Sequence, residues 1–151
     1  MISNAKEAAY DFCGAYITNR IASLQTEIRK LEDALGSETK SSAGDKHETG
    51  RAMIQLEREK LGRQLQEAEK TKTVFKRISK TKNTAKVGLG SLVQTNRATY
   101  FISISAGRLV REGTEIFCIS AATPIGRMLL GKSPGDLIHF NGAQQKVLKI
   151  G

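Results

Sequence analysis

Asp45 and Glu48 stand three positions apart in the stretch SSAGDKHETGRAM, residues 41–53. Two carboxylates at that spacing can do two kinds of work. At the start of a helix they make a capping box: the first accepts a bond from a free amide of the first turn, and the second reaches back. Both are then favoured by the positive end of the helix dipole. Alternatively, they offer oxygen ligands to a hard cation such as Mg²⁺, which commonly takes one or two carboxylates from a protein. Two carboxylates cannot complete such a site, so a cation here needs ligands from another molecule. The two roles are compatible if the cap rearranges on binding.

The other chemistry-bearing residues form no constellation. His47 lies between the two acids but has no partner at zinc-ligand spacing, and His139 falls in an alternating stretch that reads as an ordinary strand. Cys13 and Cys118 are far apart, in segments that read as a helix and a strand. They are expected as buried free thiols. No nucleophile elbow or phosphate loop is present. Gly88 and Gly90 in VGLGSL precede no helix and read as a bulge or close packing in a strand. Catalysis by this chain alone is therefore not expected.

The elements that must position the acids are two periodic segments. Ile17, Ile21, Leu24, Ile28, Leu31 and Leu35 follow the alternating steps of four and three of a coiled-coil seam. Gly36 reads as its C-cap. Ile54, Leu61, Leu65, Ala68 and Phe75 continue in the same register after a short polar connection. Two stripes that each need burial predict an antiparallel helical hairpin over residues 1–80, with the acids at its tip. From about residue 5 to 36, the first helix would run roughly 45–50 Å.

After Lys86 the pattern becomes β-rich. VGLGSLVQT and ATYFISIS, separated by Asn96-Arg97, read as a hairpin, and GTEIFCIS as a third strand. TPIGRMLL reads as a short helix with Thr123 at the N-cap and Pro124 at the first helical position. DLIHF and QKVLKI flank Asn141-Gly142, a type I′ turn signal. The expected fold class is thus α+β: a helical hairpin followed, over 84–151, by about five short strands and one helix.

The chain of 151 residues carries a net charge of +9, unevenly spread. Residues 1–36 sum to −1 and 37–53 to zero, whereas 54–83 and 84–151 contribute +5 each. Lys70 to Lys86 holds seven basic residues and no acid. That run reads as a solvated linker or as a docking surface for nucleic acid or an acidic partner. No apolar run approaches the roughly 18 residues of a membrane span, and the opening residues lack the basic flank and apolar core of a secretory leader. The expected compartment is the cytoplasm, with no membrane partner.

The order of these pieces resembles the Gre transcript-cleavage factors of bacteria. The family's C-terminal signature has the form S-P-[IL]-[GA]-x-x-[LI]-[LI]-G-K-x-x-G-D. In TPIGRMLLGKSPGD, Thr123 stands in the Ser position, while Pro124, Ile125, Gly126, Leu129, Leu130, Gly131, Lys132, Gly135 and Asp136 fit the rest. The resemblance implies an FKBP-like C-terminal domain that docks on RNA polymerase through Thr123, Pro124, Ile125 and their neighbours. It also implies that the coiled coil enters the polymerase secondary channel as a monomer. There Asp45 and Glu48 would help hold Mg²⁺ at the polymerase active site, in a two-metal hydrolysis of backtracked RNA. Lys46 and Arg51 would meet phosphates near the RNA 3′ end. On this reading the chain is an accessory factor with no cofactor or metal of its own.

One departure stands next to the acids. Where the family continues with Asn-Ala-Glu-Tyr, this chain reads Thr49-Gly50-Arg51-Ala52. Arg51 replaces an acid and Ala52 an aromatic, which favours the alternative of a channel binder that modulates polymerase without promoting cleavage. Two further readings are a free-standing prolyl isomerase with a helical stalk and general nucleic-acid binding by the basic run. The first needs an aromatic-lined pocket, for which Tyr100, Phe101, Phe117 and Phe140 are few.

Overall fold

The computed structural model describes residues 2–39, 44–79 and 84–151, with side chains omitted at 2, 3, 38, 39 and 44–48. Two long helices come first, α1 (Ile2–Thr39) and α2 (Gly44–Lys76). Six strands follow: β1 (Leu92–Thr95), β2 (Thr99–Ser103), β3 (Gly107–Arg111), β4 (Thr114–Ser120), β5 (Leu137–Phe140) and β6 (Ala143–Ile150). A short helix, α3 (Pro124–Leu129), lies between β4 and β5.

The helical stripes behave as their spacing requires. On α1, Ile17, Leu24 and Ile28 are buried, and Ile21, Leu31 and Leu35 half-buried. On α2, Leu61 and Ala68 are buried, while Ile54, Leu65 and Phe75 are half-buried. The two helices pack together in opposite directions. Arg58 meets Glu32 at 3.4 Å near the connected ends, and Phe75 meets Tyr10, ring centroids 4.8 Å apart, near the others. Gly14 leaves room for this aromatic contact, since a Cβ there would sit 3.2 Å from the Phe75 ring. The ion pair joins two half-exposed side chains and so adds only about 0–1 kcal/mol. Burial of the apolar stripe is what holds the pair.

Gly36 does not end α1, which continues through Thr39. A helical glycine costs about 1 kcal/mol relative to alanine, and the Ser-Glu-Thr that follows contains no breaker. That cost is small against the packing of the seam.

The chain forms two compact units. One comprises residues 17–72; the other comprises 1–16 together with 73–151. Compactness thus groups the outer ends of both helices with the β-rich part, whereas composition alone places the boundary near residues 80–84.

The sheet order is β3-β4-β2-β1-β6-β5. All pairings are antiparallel except β2 with β4, which run parallel with Phe101 opposite Cys118 and Ser103 opposite Ser120. Strand β3 was not among the expected five. It is joined to β4 through Glu112 (φ 49°) and Gly113 (φ 77°), the two left-handed residues of a tight hairpin. Asn141 (φ 52°) and Gly142 (φ 75°) do the same for β5 and β6, as the Asn-Gly signal predicts.

Alternation gives the sheet two buried faces. Val93, Tyr100, Ile102, Ile138 and Val147 build one core with Val87 and with Ile125 and Leu129 of α3. Phe101, Ser103, Ile116 and Cys118 point the other way and are also buried, each at most 2% exposed. Within the polar part of this packing, Gln145 accepts from Thr95 Oγ1 at 2.7 Å and from the Tyr100 hydroxyl at 3.2 Å. The C-terminal Gly151 closes the sheet by exchanging two backbone bonds with Leu92.

Candidate functional site

Helix α2 begins at Gly44, so Asp45 and Glu48 both belong to its first turns. Asp45 lies inside the helix rather than at the cap position expected for a capping box. Three residues apart on a helix, the two acids share a face. The side chains of Asp45, Lys46, His47 and Glu48 lie outside the described residues.

The positions after Glu48 are helical despite Gly50. Arg51 is half-buried and Ala52 exposed. The burial of Arg51 follows from register: steps of three, seven and four lead from it to Ile54, Leu61 and Leu65, placing it on the seam side of α2. The expectation of an RNA contact from Arg51 therefore concerns a side chain that leans on the helix pair. Met53 and Leu56, off the seam, are 67% and 65% exposed.

At the second candidate site, the sequence reading of α3 is met in detail. Thr123 is the N-cap: its Oγ1 accepts from the Gly126 amide at 3.1 Å and donates to the Ser120 carbonyl at 2.7 Å. Pro124 follows at the first helical position and is exposed. Ile125 is only 7% exposed and belongs to the core. Of the three expected docking residues, Pro124 alone presents its side chain fully to solvent. Arg127, Met128 and Leu130 are exposed beside it, and sequence reasoning did not single them out. The signal was available: in a six-residue helix whose Ile125 and Leu129 face inward, positions between them must face out.

After α3, Gly131 (φ 78°) and Gly135 (φ 96°) take left-handed turns, which explains both glycines of the signature. Between them the Asp136 carboxylate accepts from the Ser133 amide at 2.8 Å. The Lys132 carbonyl and Gly131 amide bond to Val87. The signature residues thus specify a helix-and-turn unit.

The basic run is not all linker. Lys70, Lys72 and Lys76 are on α2, and Lys70 meets Glu67 at 3.5 Å with both side chains about three-quarters exposed. Lys80 and Lys82 lie outside the described residues. His139 is an exposed strand residue. Among the described residues, no group of three or more His, Cys, Asp or Glu side chains is placed to hold a metal ion. No helix among them is long and apolar enough to cross a membrane.

Cys13 and Cys118 are both buried and both free. What their separation in sequence hid is that α1 brings Cys13 against β4, so that the two thiols are hydrogen-bonded to each other. The chain matches no protein-family model, and no curated protein matches it.

Proposed function

We propose that the chain is a Gre-like RNA polymerase-binding factor whose helical hairpin enters the secondary channel and stimulates cleavage of backtracked RNA. The observation that carries this reading is the order of parts. A packed helical pair with Asp45 and Glu48 beside its connection is followed by a small sheet bearing TPIGRMLLGKSPGD. The cap at Thr123, the inward Ile125 and Leu129, and the two glycine turns give that signature a physical basis in this chain. The sheet with α3 is, on this reading, an FKBP-like docking domain, with Pro124 and its exposed neighbours at the polymerase contact.

In the proposed mechanism, Asp45 and Glu48 supply oxygen ligands and orient the attacking water, while the polymerase contributes the remaining ligands. The Mg²⁺ supplies Lewis-acid activation of that water and charge neutralisation at the scissile phosphate when bound. Lys46 adds a positive charge next to the RNA phosphates. The test is a stalled, backtracked elongation complex with Mg²⁺, comparing the chain with an Asp45→Asn, Glu48→Gln double variant. Release of short 3′ RNA should fall to the level of polymerase alone in the variant; equal release from both ends this reading.

A second reading is favoured by Arg51 and Ala52. A cation three residues from Glu48 is positioned to pair with it, which would take one of the two carboxylates out of metal binding. The chain would then occupy the channel and inhibit or modulate the polymerase without cleavage. Under this reading the double variant binds polymerase and affects elongation as the parent does.

The prolyl-isomerase reading has little support in the packing. Phe101 is fully buried, and Tyr100 is buried with its hydroxyl bonded to Gln145. These rings fill the interior rather than line a substrate pocket.

A further inference from the structure

Cys13 in α1 and Cys118 in β4 are the two cysteines of the chain, and they are 0% and 2% exposed. Their side chains are in hydrogen-bond contact, within the compact unit formed by 1–16 and 73–151. The Cys13 sulfur is further approached by the Ser103 hydroxyl and the Ile104 amide. Ser103 Oγ is buried and makes no hydrogen bond of full geometry, so its weak contact with that sulfur is the outlet left to it. Hydrogen bonding from Cys118, with smaller help from Ser103 and Ile104, holds the Cys13 thiol below its ordinary range in spite of burial. The same contact, together with burial, pushes Cys118 up. One sulfur is thus set to carry negative charge while its neighbour keeps its proton, the asymmetry of an attacking and a resolving thiol.

We propose that Cys13 and Cys118 are a peroxide-oxidisable dithiol pair whose disulfide ties helix α1 covalently to strand β4. The Cys13 thiolate attacks one oxygen of hydrogen peroxide, breaking the O–O bond; the departing hydroxide takes up a proton and leaves as water. Cys13 becomes a sulfenic acid. Cys118 then gives up its proton and attacks the Cys13 sulfur, displacing the hydroxyl as a second water. The two sulfurs together lose two electrons and peroxide gains them. Thiols already in contact need only small side-chain rotations to reach the S–S length of about 2.05 Å. Because both are buried, the reaction runs through local opening of the first turns of α1, and the bond then closes off that opening.

The experiment uses the full reduced chain, treated with hydrogen peroxide and then with iodoacetamide. The expected product is monomeric, has lost two hydrogens, takes up no alkyl group and yields a cross-linked peptide pair containing Cys13 and Cys118. Dithiothreitol should return both thiols. In the oxidised chain, amide exchange over residues 5–16 should slow and the thermal midpoint should rise. Cys118→Ser should leave a sulfenic acid at Cys13 that dimedone traps, whereas Cys13→Ser should leave Cys118 unreactive. Two alkylatable thiols after peroxide overturn the proposal, as does a sulfinic acid or an intermolecular disulfide as the main product. The wild-type readout stands without the variants, so a variant that fails to fold leaves the test intact.

Discussion

Gly126 sits directly against the end of β4: a Cβ on it would fall inside van der Waals contact of the Ser120 carbonyl oxygen and 2.8 Å from Thr123 Oγ1. The obstacle on one side is backbone, which cannot swing away, and on the other it is the capping hydroxyl. Gly126→Ala must therefore displace α3 or break its cap, and either strains the core built around Ile125 and Leu129. Overpacking of this kind costs about 1–3 kcal/mol. Urea unfolding should show that loss, with an unchanged slope if only the folded state is affected.

The Thr95–Gln145 bond offers a second test. Thr95 Oγ1 donates to Gln145 at 2.7 Å and accepts from the Arg97 and Ala98 amides at 3.1 and 3.0 Å. Thr95 and Gln145 are 4% and 5% exposed, so water cannot replace the lost partner. Thr95→Val keeps the shape but leaves Gln145 short of a donor and two turn amides short of an acceptor. The expected cost is about 1–3 kcal/mol. If the double variant Thr95→Val, Gln145→Leu lost the sum of the single-variant costs, the coupling between the two side chains would be absent.

Lys6 provides a pH signature. It is 3% exposed on α1, and burial holds its ammonium below the ordinary value of 10.5. Between the lowered folded value and the unfolded one, the unfolded chain binds more protons, so stability rises with pH across that interval. Below the interval both states are charged, and the desolvation penalty is fully felt. Lys6→Met removes the titration. The stability difference between Lys6→Met and the parent should thus be most favourable to the variant near neutrality and shrink as pH approaches 10.5. A difference independent of pH would rule out burial of the ammonium as the cause.

How far these features could be read from the sequence depended on whether the determinant was local. The seam from Ile17 to Leu35 and the cap at Thr123 are written in spacing and residue type, and the structure carries both. The Asn141-Gly142 turn was legible because both residues tolerate positive φ. Its counterpart at Glu112-Gly113 was not, since glutamate gives no such signal and β3 was lost with the turn. Gly36 misled because helix propensity is a local quantity overridden by seam packing. The contact of Cys13 with Cys118 was out of reach, because it depends on where α1 meets the sheet. The site acids occupy an intermediate place: their helix was legible, while what they bind depends on another molecule.

Arg51 is the residue on which the two functional readings divide. It follows Glu48 by one turn of α2, in the register of Ile54 and Leu61, and is half-buried there. An attraction between Glu48 and Arg51 would draw the carboxylate along the helix and partly cancel its charge, both unfavourable for a cation ligand. Arg51→Glu combined with Ala52→Tyr removes that cation and replaces it with an acid. If the chain is a cleavage factor held back by Arg51, this double variant should release more short 3′ RNA from a backtracked complex than the parent. Adding Asp45→Asn should abolish the gain. If the chain is a channel-occupying modulator, the variant should bind polymerase, release no more RNA than polymerase alone, and still alter elongation. The two outcomes are distinguished in a single gel when binding is measured in parallel, because loss of cleavage with loss of binding reports only a damaged helix pair.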